Sequence, residues 1–233
     1  IAAASLLPTI MAVQILGKAS SINVRKVLWT CHELGLPFDR HDWGSGFQDT
    51  RTPAFLALNP NAMVPVLRDG DFVLWESNTI CRYLAARHGR HDLLPAEPRE
   101  RAHVEQWMDW QAGDLNNAWR YAFMALVRKS PVHTDAVAVE ASRQAWNRHM
   151  QILDAQLAKT GSYAAGAAFT LADILLGLAV HRWRMTPIER PALPRGHRIT
   201  HRIDRDPVQP RVERTIATEG PKGPVGLDEC LLG

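Results

Sequence analysis

Apolar positions along this chain fall first into short runs and then into long helical stripes. The run AVQIL (12–16), closed by Gly17, has the length and branched content of a strand. After Ser20 and Ser21, the residues Val24, Val27, Leu28, Cys31 and Leu34 recur at i, i+3 and i+4, which predicts an amphipathic helix. Gly35 and then Pro37 end it. FDRHDW (38–43) predicts a second strand, GSGFQDTRTP (44–53) a loop, and AFLALNP (54–60) a short helix stopped at Asn59-Pro60. VPVLRDGDFVLW (64–75) sets two apolar runs around Asp69-Gly70, so 64–68 and 71–75 predict a hairpin with a two-residue type I′ turn. ESNTICRYLAARHG (76–89) predicts a helix capped by Ser77, with Ile80, Tyr83 and Leu84 on its apolar face and Gly89 at its end. The order describes a compact α/β unit with a mixed sheet.

RHDLLPAEP (90–98) has the proline and charge of a linker, and the period beyond it is helical throughout. Residues 99–129 carry Val104, Trp107, Met108, Trp110, Leu115, Trp119 and Phe123, and Ser130-Pro131 interrupts. Residues 134–159 form a second long stripe with Val137, Trp146, Ile152 and Leu157, and a further helix is expected at 171–184. The domain plan is therefore an α/β unit over 11–89, a linker over 90–98 and an all-α domain over 99–193. From Pro194 to the end the period is lost and Arg, Pro and Gly dominate. That segment (194–233) is expected to pack poorly, as a divergent end or the product of a shifted reading frame rather than a nucleic-acid arm. Residues 1–10 are expected to be an extension ahead of Met11.

Composition narrows the function. The chain has 233 residues, 46% apolar and 22% charged, ordinary values for a folded soluble protein. A net charge of +3 gives no general reason to expect nucleic acid or an acidic membrane surface. Cys31, Cys81 and Cys230 are odd in number and far apart, which argues against a disulfide framework and fits a reducing compartment. No apolar run approaches the roughly 20 residues that span a bilayer, and the first ten residues lack the basic start of a secretory signal. The ten histidines show no HExxH and the cysteines no CxxC, so no metal site is expected. GxGxxG, P-loop and GxSxG patterns are missing, which disfavours nucleotide binding and α/β-hydrolase chemistry.

Four local features could carry chemistry. In FTLADI (169–174), Thr170 and Asp173 have the spacing of a capping box, with Phe169 and Ile174 as a hydrophobic staple. This one is structural, and Asp173→Ala is expected to lower stability without removing a substrate contact. In MVPV (63–66), Pro65 must stand at a strand start or edge because it lacks a donor. Two forms stay open: an ordinary trans proline, or a cis one that turns the Val64 backbone outward to bind an extended peptide. Glu76-Ser77 is either everyday capping or a site for an α-amino-acid head, the helix N–H groups taking the carboxylate and Glu76 the ammonium. Among eight tryptophans, Trp110 and Trp119, with Phe123, are the candidates for an apolar pocket, the alternative being core packing.

Taken in order, SSINVRKVLWTCHELGLPF, LNPNAMVPVLRDGDFVLWESNTICRYLA and FTLADI resemble the cytosolic glutathione S-transferases, most of all bacterial members with theta-like or nu-like features. The resemblance covers roughly residues 11–193. It implies a thioredoxin-like N-terminal domain, an all-helical C-terminal domain, a cytoplasmic homodimer, and glutathione as co-substrate in detoxifying conjugation of a hydrophobic electrophile. It also implies a cis Pro65, Val64 pairing through its backbone with the cysteinyl unit, and Glu76 and Ser77 holding the γ-glutamyl ammonium and carboxylate. A hydroxyl donating to the sulfur would lower the thiol pKa, with the positive end of the first helix acting the same way. Spacing to Arg25 in theta-like members selects Ser21 for this role; a zeta-like alignment selects Ser20, and Asn23 is the nu-like rival. Met63 stands where many relatives have Lys or Gln before the Val-Pro pair, so the glycyl carboxylate needs another cation, for which Arg51 is the candidate. Two further readings stay open: a glutathione-dependent disulfide reductase or peroxidase, and a non-catalytic binding or regulatory protein of this fold.

Overall fold

The computed structural model describes residues 12–193. The expectations for the first ten residues and for 194–233 lie outside the described residues. Four strands form one mixed sheet in the order β2-β1-β3-β4: β1 (Val13–Leu16), β2 (Phe38–His41), β3 (Val66–Asp69) and β4 (Phe72–Trp75). β1 runs parallel to β2 and antiparallel to β3, and β3 pairs antiparallel with β4. Helix α1 (Ile22–Leu34) connects β1 to β2, the short α2 (Pro53–Leu56) precedes β3, and α3 (Ser77–Arg87) follows β4.

The expected pattern forms α1. Its buried face holds Val24, Val27, Leu28 and Cys31, and Trp29 is also buried. Gly35 adopts the left-handed conformation at φ 61°, and its N–H donates to the His32 carbonyl at 3.0 Å. The hairpin differs by one residue from expectation. Asp69 pairs with Phe72, so the loop is Gly70-Asp71, and of these two only Gly70, at φ 61°, has the positive φ that a type I′ turn needs at both. The start of α3 also shifts: Glu76, not Ser77, is the N-cap, at φ 72° and ψ 108°. Its carbonyl accepts from Ile80 N–H at 2.8 Å, which makes Ser77 the first residue of the helix.

From Pro98 to Met185 the chain is built of helices and their connections. Pro98 opens α4 (Pro98–Trp110), and the Glu97 carboxylate accepts from the Glu100 N–H at 2.9 Å. Residues Gln111–Leu115 form one wide π turn, and α5 (Asn116–Leu126) continues from it. Helix α6 (Ala136–Thr160) is capped by Asp135, and α7 (Leu171–Met185) begins at Thr170. On α6 the buried stripe is Ser142, Trp146, Met150, Leu153 and Leu157. Val137 and Ile152, expected on that face, are 78% and 49% exposed. The connection over 90–97 is packed rather than loose: Leu93 and Leu94 are buried, and the Leu93 carbonyl accepts from the Leu171 N–H at 3.0 Å.

One apolar core runs through both parts. Val13, Ile15, Val27, Leu67 and Leu84 belong to the same buried cluster as Met108, Trp146, Leu153, Leu175 and Leu178. Helix α1 packs against α3 and also against α7, so the helix that carries the serines is clamped between the sheet unit and the helical unit.

Candidate functional site

Strand register decides where the candidate residues meet. Leu16, the last residue of β1, lies opposite Val66, the first of β3, and Val66 lies opposite Trp75, the last of β4. Leu16 also aligns with His41, the last residue of β2. The segments that follow β1, β2 and β4 and the one that precedes β3 therefore all open at one end of the sheet. Those segments carry Ser20 and Ser21, Arg51, Glu76 and Ser77, and Val64 and Pro65.

Gly17 makes the close approach possible. Its φ is 152°, and a Cβ there would stand 2.5 Å from a Val24 methyl and 3.1 Å from the Val64 Cβ. The turn into α1 and the Val64 segment therefore meet across a position that only glycine fits. Asn59, buried at the foot of the Val64 loop, donates from Nδ2 to the Met63 carbonyl at 2.8 Å and accepts from the Asn61 N–H at 3.0 Å. The Val64–Pro65 peptide is cis.

Ser21 is the N-cap of α1, half-buried, and its side chain makes no capping bond. Its N–H donates to the Lys18 carbonyl at 3.1 Å and its carbonyl accepts from Arg25 at 3.0 Å. Ser20 is exposed and Asn23 lies half-buried in the first turn of the helix. The Glu76 carboxylate is exposed and also caps nothing, and Ser77 is buried beside it. Arg51 is exposed, and its backbone N–H donates to the Asp49 carboxylate at 2.8 Å.

Sequence reasoning missed a buried polar chain behind this end of the sheet. Lys26 donates from Nζ to Asn78 Oδ1 at 3.2 Å and to Gln111 Oε1 at 2.9 Å. Asn78 Nδ2 in turn donates to the Met108 carbonyl at 3.1 Å. Gln111 Nε2 and Trp119 Nε1 both donate to Asn116 Oδ1, at 3.0 and 2.9 Å. The chain ties the first helix to the start of α3, to the π turn and to Trp119. Burial pushes the Lys26 ammonium down to about 8. The only signal for it in the sequence was a set of polar residues inside otherwise buried helical stretches.

The aromatic candidates divide. Trp119 is 5% exposed, and its ring lies 5.4 Å from that of Phe123 and 6.0 Å from that of Trp146. Trp110 belongs to a different group, with Trp107 at 5.1 Å and His149 at 5.5 Å. Trp119 and Phe123 are not a bare apolar wall: the Arg182 guanidinium sits over both rings. Burial pushes the Cys31 thiol up to about 12 and the Cys81 thiol up to about 11, so neither is a ready thiolate. Among the described residues no three His, Cys, Asp or Glu side chains gather into a metal-binding set, and no helix is long and apolar enough to cross a membrane.

Comparison with known proteins agrees with this architecture. Residues 20–87 match the glutathione S-transferase N-terminal domain model, and residues 136–207 match the C-terminal domain model. Glutathione S-transferase GstB of Escherichia coli K12 is 39% identical over 195 residues, covering 76% of this chain and 93% of the relative. Glutathione S-transferase 3 of Zea mays is 36% identical over 164 residues, covering 67% and 72%. The theta class glutathione S-transferase of Xanthomonas axonopodis pv. citri, solved with glutathione bound, superposes with a TM-score of 0.78 at 38% identity, covering 89% of this chain and 98% of that one. The chain belongs to the glutathione S-transferase family, with a thioredoxin-like N-terminal part and a helical C-terminal part.

Proposed function

We propose that this protein conjugates glutathione to an electrophile, with Ser21 stabilising the thiolate. The observation that carries the reading is the pair of uncapped helix starts, Ser21 and Glu76-Ser77, on segments that open at one end of the sheet beside Val64. Glutathione lies extended along Val64, its γ-glutamyl carboxylate at the start of α3 and its ammonium on Glu76. Arg51 takes the glycyl carboxylate. Ser21 donates to the sulfur, and the positive end of α1 adds to the effect.

With a chloronitrobenzene acceptor, the thiolate forms a C–S bond at the ring carbon and the C–Cl bond breaks. Chloride leaves with the bonding pair, and the thiol proton has already passed to solvent. The electrophile lies against Trp119 and Phe123; Trp110, grouped instead with Trp107 and His149, takes no part in this wall. The resemblance supports a bacterial, cytoplasmic homodimer in a detoxifying role that needs no metal, membrane or nucleic acid. The free, buried Cys31 and Cys81 support a reducing compartment.

The test is conjugation of 1-chloro-2,4-dinitrobenzene by wild type and by Ser21→Ala. Equal rates would remove the Ser21 role. Calorimetry with glutathione checks the parent site: no heat at millimolar ligand would favour a non-catalytic protein of this fold. Faster reduction of hydroxyethyl disulfide than conjugation would move the assignment to a disulfide reductase.

A further inference from the structure

Arg182, in the last turn of α7, holds its guanidinium carbon 4.2 Å from the Trp119 ring centroid and 4.6 Å from that of Phe123. The two rings meet edge-on, at 79°, so the guanidinium is seated against an aromatic corner. Arg128 approaches the same Phe123 ring at 5.7 Å. Arg25 is a third cation whose charge acts on Arg182: it is 8% exposed and lies one turn along α1 from Ser21, whose carbonyl accepts its N–H.

Burial and the charges of Arg128 and Arg25 all work against the Arg182 proton, and among the described residues no acidic group acts on it in return. Arginine nevertheless stays charged in such surroundings. Ring faces attract a cation and fix its position, by about 0.5–2 kcal/mol, but they do not neutralise it. Arg182 also bears on Lys26, so positive charge extends from the aromatic corner to the core of the first helix. A neutral hydrophobic acceptor would leave this charge unmatched. A carboxylate or sulfonate would meet a guanidinium fork that suits two parallel hydrogen bonds.

We infer that the electrophile taken beside Trp119 and Phe123 is an anion, bound through its carboxylate or sulfonate by Arg182, with Arg128 and Arg25 reinforcing the field. This rests on the transferase reading and adds the substrate class to it.

The experiment compares kcat/KM for 4-chloro-3,5-dinitrobenzoate and for the neutral 4-chloro-3,5-dinitrobenzamide, each divided by its uncatalysed rate with glutathione. Wild type should favour the carboxylate by about tenfold, the worth of one charge-assisted contact. Arg182→Met should bring that ratio close to one, and Arg182→Lys should recover part of it. Arg128→Met, at an exposed position, should lower the ratio by about threefold, and it reads the same quantity should Arg182→Met fail to fold. A wild-type ratio near one overturns the inference. So does a ratio that neither variant changes, above all if the pH profile then moves equally for both acceptors, which would assign the arginines to the thiolate. Turnover of neither acceptor while 1-chloro-2,4-dinitrobenzene is still conjugated overturns this inference alone, as does equal turnover of both; failure with all three acceptors overturns the transferase reading and this inference with it.

Discussion

Helices α1 and α7 pack against each other, yet they begin in opposite ways. At the start of α7 the cap side chains are used internally. Asp173 accepts from the Thr170 N–H at 2.9 Å, from the Thr170 hydroxyl at 3.0 Å and from the Ala164 N–H at 2.9 Å, and it is 1% exposed. At the start of α1, Ser21 occupies the cap position with no capping bond, and at the start of α3 Glu76 does the same. A cap residue that forgoes its cap gives up about 1 kcal/mol of helix stability. The closed start holds the fold together, and the open starts keep N–H groups and side chains available to a ligand.

Asp173→Ala should produce the largest change. It removes the acceptor for three donors, two of them buried backbone N–H groups, and should cost about 4 kcal/mol, or roughly 10 °C in melting temperature. Glutathione affinity should stay within about twofold. An unchanged melting temperature would break the comparison at its closed end. Burial also lifts the Asp173 carboxyl to about 6 from its ordinary 3.8. The folded protein therefore keeps this proton over a range where the unfolded chain has lost it. The stability it contributes is full below the unfolded value and is lost as pH rises through about 6. Asp173→Asn should flatten that decline in a series of melting curves from about pH 4 to 7.

Ser21→Ala comes next, and acts on the opposite property. If the hydroxyl shifts the thiol by about two units, its removal is worth roughly 2.7 kcal/mol, or about a hundredfold in kcat/KM at a pH below the wild-type thiol pKa. The pH profile should move upward by the same amount, so the loss shrinks as pH rises. Because the side chain caps nothing, the melting temperature should change by no more than about 1 °C. A variant that loses several degrees would show that the serine supports the helix after all.

The contrast also explains what the sequence made legible. The capping box was visible in FTLADI because its partners are three residues apart and its chemistry is local. The strands and α1 are legible for the same reason, whereas the two helix starts leave capping and ligand binding equally open in the sequence. What escaped was long-range: Lys26 finds Asn78 and Gln111 across 52 and 85 residues, and Arg182 reaches Trp119 from a different helix. No period or cap motif records such pairs. The small errors have local causes. The hairpin shifts because Asp69 pairs with Phe72, and the α3 cap moves because Glu76, at φ 72°, stands outside the helix and gives its carbonyl to the first helical bond. The apolar stripe over 99–129 carries no mark of the π turn at Gln111–Leu115, because hydrophobic spacing does not distinguish one wide turn.

Glu76→Gln sharpens the comparison at the second open start. The amide keeps the size of the side chain but loses the charge that attracts an ammonium. The expected effect is about a tenfold rise in KM for glutathione, the difference between a charge-assisted and a neutral hydrogen bond. kcat should hold, since the contact is the same in the ground and transition states. A fall in kcat with KM unchanged would instead place Glu76 in the chemical step.

Arg51→Ala should have the smallest effect, and its size is informative for that reason. Arg51 is exposed on the loop after β2, where water and salt screen its charge. A contact to the glycyl carboxylate there is worth at most about 1 kcal/mol, so KM for glutathione should rise by no more than about fivefold at low salt. Raising the ionic strength to about 0.5 M should erase most of the difference between variant and wild type. A tenfold or greater rise that persists in salt would mean that the loop closes over the tripeptide and takes Arg51 out of water. No rise at any salt would pass the carboxylate to another cation at this end of the sheet. Lys18 is then the group to substitute, since its ammonium already donates to the Ser45 carbonyl at 3.1 Å and so sits on the same loop.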